Sequence, residues 1–548
     1  MPVTWEPPGP GGWSTLRDHF PGSATPAYRA VFGETFASGT RAAYARYGVL
    51  ADHLQAEYVN GHMYLRPVPL VLSGRAMTRP PPTPLVWLMC RLHPAFRRRT
   101  RAARDALAER RWLADNRRWY EEQRPEWIER NRALQREAPG ALSDDELADH
   151  LDRCRENWRA GYVLHFELHG PDLVPLGLFL ARGEDWGLPT AELLTALQGA
   201  SPSSTGHAPE LDHLRELVAA SGSTPSSLDD VRAIGPEAAE LLDRYLVDRG
   251  WRMTTSYDLD GRALVELPDL TLAAILAPTS DADKNRARAD AVASALRQRV
   301  PESERAEFDQ LLEDGRATYG LRDDNGMYTG AWPVGLVRRA MLEAGGRLAP
   351  TGALAAPAHV FELEIDEVRS LLCGGPGPSA DDAASRAAIR RAESAENAPE
   401  TLGPPEPLRS FAAVPRPLLL VGRAILATRD AMLSAATSGP LEGTGIGETP
   451  YRGCARVARQ AEDAIMRMEP GDVLVTPTTT PAFNAVLAIA GGLIVEEGGL
   501  VSHAAIMARE LGIPAVVGVA GAVDTVDDGA TVEVDPGAGR VRVLHAAE

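Results

Sequence analysis

Residues 498–514 read GGLVSHAAIMARELGIP, and the limits of a strand, a loop and a capped helix are written in them. Ser502 is a good N-cap because its hydroxyl can accept from an unbonded amide of the first turn. Ala505, Ile506 and Ala508 suit a helix, Gly512 fits the left-handed position after the last turn, and Pro514 forbids continuation. His503 therefore falls at the first helical position. The free amides and the positive end of the helix dipole favour an anion there. A neutral imidazole is nucleophilic near pH 7, and its phosphoramidate is labile enough to be passed on. Gly498 and Gly499 leave room for a bulky donor to approach the ring. Taken alone, a histidine after a capping serine also has a plain reading as a surface residue.

Outward from this stretch, GDVLVT (471–476), GGLIVEE (491–497), PAVVGV (514–519), TVEVD (531–535) and RVRVL (540–544) are short apolar runs parted by Gly, Pro and Asp. The pattern predicts a small α/β domain over 441–548. Residues 1–370 read as a mainly helical domain, with apolar positions recurring at three and four in stretches such as 27–59. VFELEIDEVRSLL (360–372) reads as a strand or extended lead into a helix. Residues 371–440, rich in Gly, Pro, Ala and charge, read as a flexible connector with a short helix.

At 548 residues the chain has the length of two to four domains, and its formal charge of −18 argues against general nucleic-acid affinity. Cys90, Cys154, Cys373 and Cys454 form no CxxC pair, so no metal site is expected. With no signal peptide and no apolar run of about 20 residues, the expected home is the cytoplasm, without membrane contact. Residues 94–137 read as helices with a solvated face of i,i+4 ion pairs, and Arg97, Arg98, Arg99 and Arg101 form one basic cluster suited to a phosphate or a partner.

GGLVSHAAIMARELGIPAVVG, with GDVLVTPTTTPAF upstream and DDGATVEVDPGAGRV downstream, resembles the swivelling phosphohistidine domain of the phosphoenolpyruvate-utilising enzymes. That family includes phosphoenolpyruvate synthase, pyruvate phosphate dikinase and rifampin phosphotransferase. The resemblance implies that His503 is phosphorylated at an ATP-grasp domain and swings to a second site. It also implies supporting roles around the phosphate for Glu497, Gly498, Gly499, Ser502, Thr479, Thr480 and Arg509. Val501 stands where the family usually has Thr or another small or polar residue, which removes a hydroxyl that Ser502 is placed to replace.

The layout is closest to rifampin phosphotransferase from its central region onward. Trp13, His19-Phe20-Pro21, VNGHMYLRP (59–67) and Leu336–Leu348 followed by VFELEIDEV weakly resemble that region. No glycine-rich ATP-grasp motif is legible, and no barrel follows the phosphohistidine segment. ATP and Mg2+ are therefore expected only through a separate ATP-grasp protein, with no tightly bound cofactor. The acceptor, a hydroxyl of a small organic molecule such as an antibiotic or a natural-product intermediate, is expected to bind within residues 1–370. Candidate residues there are His165 and His169, four apart on one helix face, Arg322 and Asp323 in an apparent turn before Gly326, and Arg338, read as a surface ion-pair former.

The sequence thus predicts a multidomain phosphotransferase component: a mainly α-helical substrate domain, then a small α/β carrier domain. The alternative is a non-catalytic binding or regulatory subunit with a vestigial histidine. A complete phosphoenolpyruvate synthase would need domains that are not legible here.

Overall fold

The computed structural model describes residues 4–15, 22–71, 81–201, 208–277, 282–392, 398–404, 413–432, 439 and 441–545. His19, Phe20 and Pro21 lie outside the described residues. The chain forms two compact units, each assembled from separated stretches: Met1–Val174, Ser256–Gly261 and Asn325–Arg423 in the first, the remainder in the second. These units cut across the expected limits near 370 and 440. Among the described residues no helix is long and apolar enough to cross a membrane.

The first unit is mainly helical and carries a four-stranded antiparallel sheet in the order β2-β3-β1-β4, with β1 Trp13–Thr15, β2 Ala51–Val59, β3 His62–Pro69 and β4 Thr401–Leu402. The helical expectation for 27–59 holds only to Tyr47, and the rest is strand. Gly48 ends the helix in the left-handed conformation at φ 75°, and Asn60 and Gly61, at φ 50° and 79°, turn the chain into a hairpin. The Asn-Gly pair signals such a turn, and helical spacing upstream masked it. Part of the expected connector is ordered as well: Ala380–Ala392 is a helix, and β4 pairs with β1.

Helix Pro26–Tyr47 packs on helix Asp144–Glu167 through an aromatic ladder. Phe32 and Phe36 stack at 5.2 Å, Phe36 meets Phe166 edge-on at 4.7 Å, and the Tyr28 and Tyr162 hydroxyls lie 3.1 Å apart. The short stretch Ser256–Gly261 belongs to this unit for a polar reason. Buried Asp258 accepts from the Thr25 amide at 2.7 Å and the Thr25 hydroxyl at 2.6 Å, next to the start of the first helix. Arg338 donates to the Leu259 carbonyl at 2.7 Å with its guanidinium over the Phe361 ring.

Arg338 is therefore not a surface ion-pair former. It is only 6% exposed, because helix Trp332–Leu348 is buried on most of its circumference. Arg99 is likewise withdrawn from its basic cluster, buried and donating to the Ala51 carbonyl at 3.3 Å. The lead into helix Ile365–Leu372 is a 3-10 segment, Pro357–Glu362, rather than a strand.

The second unit joins helices of the 175–324 region to a seven-stranded sheet in the order β11-β10-β6-β7-β8-β9-β5. Its strands are β5 Thr444–Ile446, β6 Tyr451–Val457, β7 Val473–Thr476, β8 Gly492–Val495, β9 Ala515–Val517, β10 Thr531–Asp535 and β11 Arg540–His545. The central four, β6 to β9, are parallel, and β5, β10 and β11 run antiparallel at the edges. Both faces of the central strands are covered: Leu474, Leu493 and Val495 join one core, Val473, Val475 and Ile494 the other. Strands buried on both sides read as continuous apolar runs, which is why they stood out in the sequence.

Two adjacent glycines in helix Trp332–Leu348 give a test of the packing. A Cβ on Gly345 would lie 2.3 Å from the Pro357 carbonyl oxygen, whereas one on Gly346 meets nothing within 4 Å. Gly345→Ala is expected to lower stability by about 1–3 kcal/mol through overpacking. Gly346→Ala is expected to raise it by about 0.5–1 kcal/mol. Opposite shifts of the thermal midpoint check the pair.

Candidate active site

Parallel pairing of β7 with β8 aligns Thr476 with Val495, so the segments that leave both strands emerge at one edge of the sheet. Ligand sites of parallel sheets form at such carboxyl ends. The segment after β7 carries Thr479 and Asn484, and the segment after β8 carries Ser502 and His503.

Helix His503–Leu511 begins and ends as its sequence dictates. Ser502 takes an extended conformation, and its hydroxyl accepts from the Ala505 amide at 3.3 Å; Gly512 closes the helix at φ 69°. Gly498 is needed for the turn itself. Its φ is 112°, and a Cβ there would come within 2.8 Å of the Ser502 side chain.

Both imidazole nitrogens of His503 are engaged. Nδ1 lies 2.8 Å from the Thr479 hydroxyl and Nε2 lies 2.9 Å from Asn484 Oδ1. Desolvation pushes the pKa down from 6.5 to about 4, while the charge of Asp323 pulls it back up. At neutral pH the ring is uncharged, the form a nucleophile requires. Asn484 had no signal in the sequence, since only the pairing of β7 with β8 brings it to the ring. An Asn or Gln at the start of the segment facing a proposed histidine would have been the pattern to seek.

The other expected residues around His503 divide by role. Thr479 meets the ring, whereas the Thr480 side chain makes no hydrogen bond among the described residues. Arg509 is buried; its guanidinium donates to the Leu500 carbonyl, and Gln198 donates to its own carbonyl. It braces the loop that leads to His503. The Glu497 amide donates to the Pro477 carbonyl at 3.0 Å, which ties the two segments together. Val501 is buried at 4% and belongs to the same apolar core cluster as Leu197, Phe179 and Phe308, which gives an apolar residue a reason to stand there.

Arg322 and Asp323 lie on a helix, Leu321–Gly326, rather than in a turn, with Arg322 Nε 3.8 Å from the Asp323 carboxylate. In the first unit, His165 and His169 meet edge-to-face with ring centroids 4.8 Å apart. His165 Nδ1 lies 2.6 Å from Asn325 Oδ1, and His169 Nδ1 lies 3.3 Å from Asp172 Oδ2. Arg338 has the structural role given above. Among the described residues no group of three or more His, Cys, Asp or Glu is placed to hold a metal ion.

Residues 468–539 match the family described as PEP-utilising enzyme, mobile domain. This segment is a mobile domain of that kind. Similarity extends beyond it. The chain is 28% identical over 308 residues to the uncharacterised phosphotransferase YvkC of Bacillus subtilis, covering 55% of this chain and 36% of that protein. It is 28% identical over 334 residues to the rifampicin phosphotransferase of Streptomyces sviceus, covering 58% and 36%. A third relative, the chondramide synthase of Chondromyces crocatus, is 29% identical over 327 residues, 55% of this chain and 8% of that protein. The matches thus span little more than a third of the relatives' length at most. The mobile domain contains Thr479, Asn484 and His503.

In a titration of labelled histidine followed by NMR, the His503 imidazole is expected to stay neutral down to about pH 5. Because the folded pKa lies below the unfolded one, this group's contribution to stability is full above about pH 6.5 and is lost as pH falls toward 4. His503→Gln should therefore show a shallower loss of stability across that window. A midpoint near 6.5 for His503 contradicts the desolvation described.

Proposed function

We propose that this protein carries a phosphoryl group on His503 and delivers it to a hydroxyl of a small organic molecule. The observation that carries the reading is a neutral imidazole at a capped helix start, placed at the carboxyl edge of β7 and β8 inside a mobile domain. The reading assigns the charging step, with its ATP and Mg2+, to a separate ATP-grasp protein, and no tightly bound cofactor to this chain. The same reading puts the chain in the cytoplasm.

In the charging step a ring nitrogen attacks phosphorus, the nitrogen–phosphorus bond forms and the phosphorus–oxygen bond to the leaving nucleotide breaks. In delivery, the acceptor oxygen attacks phosphorus, the nitrogen–phosphorus bond breaks with its electron pair returning to the ring, and a base takes the hydroxyl proton. Asp323 is the carboxylate whose field reaches His503, and Arg322 beside it is suited to phosphoryl oxygens. His169, with Asp172 behind its Nδ1, and His165 are the candidate bases on the acceptor's side. Glu497, Gly498, Gly499, Ser502, Thr479, Thr480 and Arg509 are assigned to shaping and bracing the carrier loop.

A second candidate seat for an acceptor of drug-like size, one that His165 and His169 do not line, lies in the first unit. A cleft of about 570 Å³ there is lined by Arg29, Glu34, His53, Glu57, Tyr58 and Arg66 among others. The names of two relatives, a rifampicin phosphotransferase and a chondramide synthase, support an antibiotic or natural-product intermediate as the class.

Incubation with labelled ATP and a candidate ATP-grasp protein is expected to give an acid-labile, base-stable label that disappears in His503→Ala. His169→Gln is expected to accept the label and to pass it on at least about tenfold more slowly. Absence of label with every donor protein tried would instead support a binding or regulatory subunit with a vestigial histidine.

A further inference from the structure

We infer that Asn484 caps the imidazole of His503 in an unreactive state and must release it before the ring takes a phosphoryl group. The inference rests on the carrier role proposed above. A phosphoryl acceptor needs a bare lone pair on one ring nitrogen, and the structure leaves none. With Asn484 Oδ1 at 2.9 Å from Nε2, that nitrogen carries the ring proton, and the lone pair of Nδ1 takes the hydrogen of the Thr479 hydroxyl 2.8 Å away. Turning the Asn484 amide end for end changes which nitrogen is protonated and leaves the conclusion intact. The amide hydrogen then occupies the Nε2 lone pair, and Nδ1 donates to the Thr479 oxygen.

The two partners are not equally fixed. Thr479 is buried at 7%, close behind β7. Asn484 is half-buried and opens a single helical turn, Asn484–Leu487, after the 3-10 turn Pro481–Phe483. Asn484 is thus the gate and Thr479 the fixed hold. When Asn484 leaves, the proton settles on Nδ1 against the Thr479 oxygen, and Nε2 presents its lone pair to phosphorus. Asn484 is a positioning residue in this scheme, acting through the tautomer and access of the ring.

A small phosphoryl donor tests this without a partner protein or acceptor. The whole protein is incubated with potassium phosphoramidate and the phosphohistidine signal followed by 31P NMR. Transfer forms the nitrogen–phosphorus bond to His503, breaks the donor's own and releases ammonia. Asn484→Ala is expected to be labelled at His503 several-fold faster than the wild type, on the order of two- to tenfold for one lost hydrogen bond. Asn484→Asp keeps an acceptor against Nε2 and is expected to be no faster than wild type. Labelled-histidine 15N spectra of Asn484→Ala should show the His503 proton on Nδ1 and an unprotonated Nε2. Where Asn484→Ala fails to fold, Asn484→Ser, too short to reach the ring, carries the same expectation. A folded Asn484→Ala labelled at the wild-type rate or slower overturns the gate and leaves the carrier role standing. No label at His503 in any variant, with His503→Ala as the blank, overturns both.

Discussion

A neutral, half-buried imidazole is best held with a partner for each nitrogen, and the parallel pairing of β7 with β8 supplies both. The pairing sets Thr476 against Val495, so the two following segments start from one level of the sheet. Everything else around His503 supports that alignment. Gly498 turns the chain where a side chain would collide with Ser502, the Ser502 hydroxyl starts the helix, and Arg509 holds the Leu500 carbonyl. The chemistry is carried by few atoms, and the surrounding groups fix where those atoms are.

The parts of this site that were legible in the sequence are the local ones. A capping serine, a terminal glycine and a stopping proline act within a few residues of one another, so residues 502–514 could be delimited from residue identities alone. Strands buried on both faces were equally plain. Asn484 was not legible, because its meaning arises only across a strand pairing and 19 residues of chain. Arg338 was misjudged for a related reason. Spacing shows that a helix has faces, and only packing decides how many of them are covered.

In the first unit, local signals competed. Helical spacing over 27–59 outweighed the Asn60-Gly61 turn, although the turn governs where the helix gives way to a hairpin. The assembly of each unit from separated stretches could not be read at all. Asp258 joins the first unit by two hydrogen bonds to Thr25, more than 200 residues away, and no periodicity encodes such a partner.

Val501 adds a consequence for docking. Its side chain is buried in the core cluster that also holds Leu197, Phe179 and Phe308, immediately before the capping serine and the histidine. Any excursion that carries the His503 loop away from these helices must draw an apolar plug out of its socket, at a cost of about 1.5–3 kcal/mol for the exposed surface. At equilibrium that alone favours the docked loop roughly ten- to a hundredfold relative to a smooth surface. Side-chain size at position 501 thus bears on how firmly this loop is held, separate from the bonding of the ring next to it.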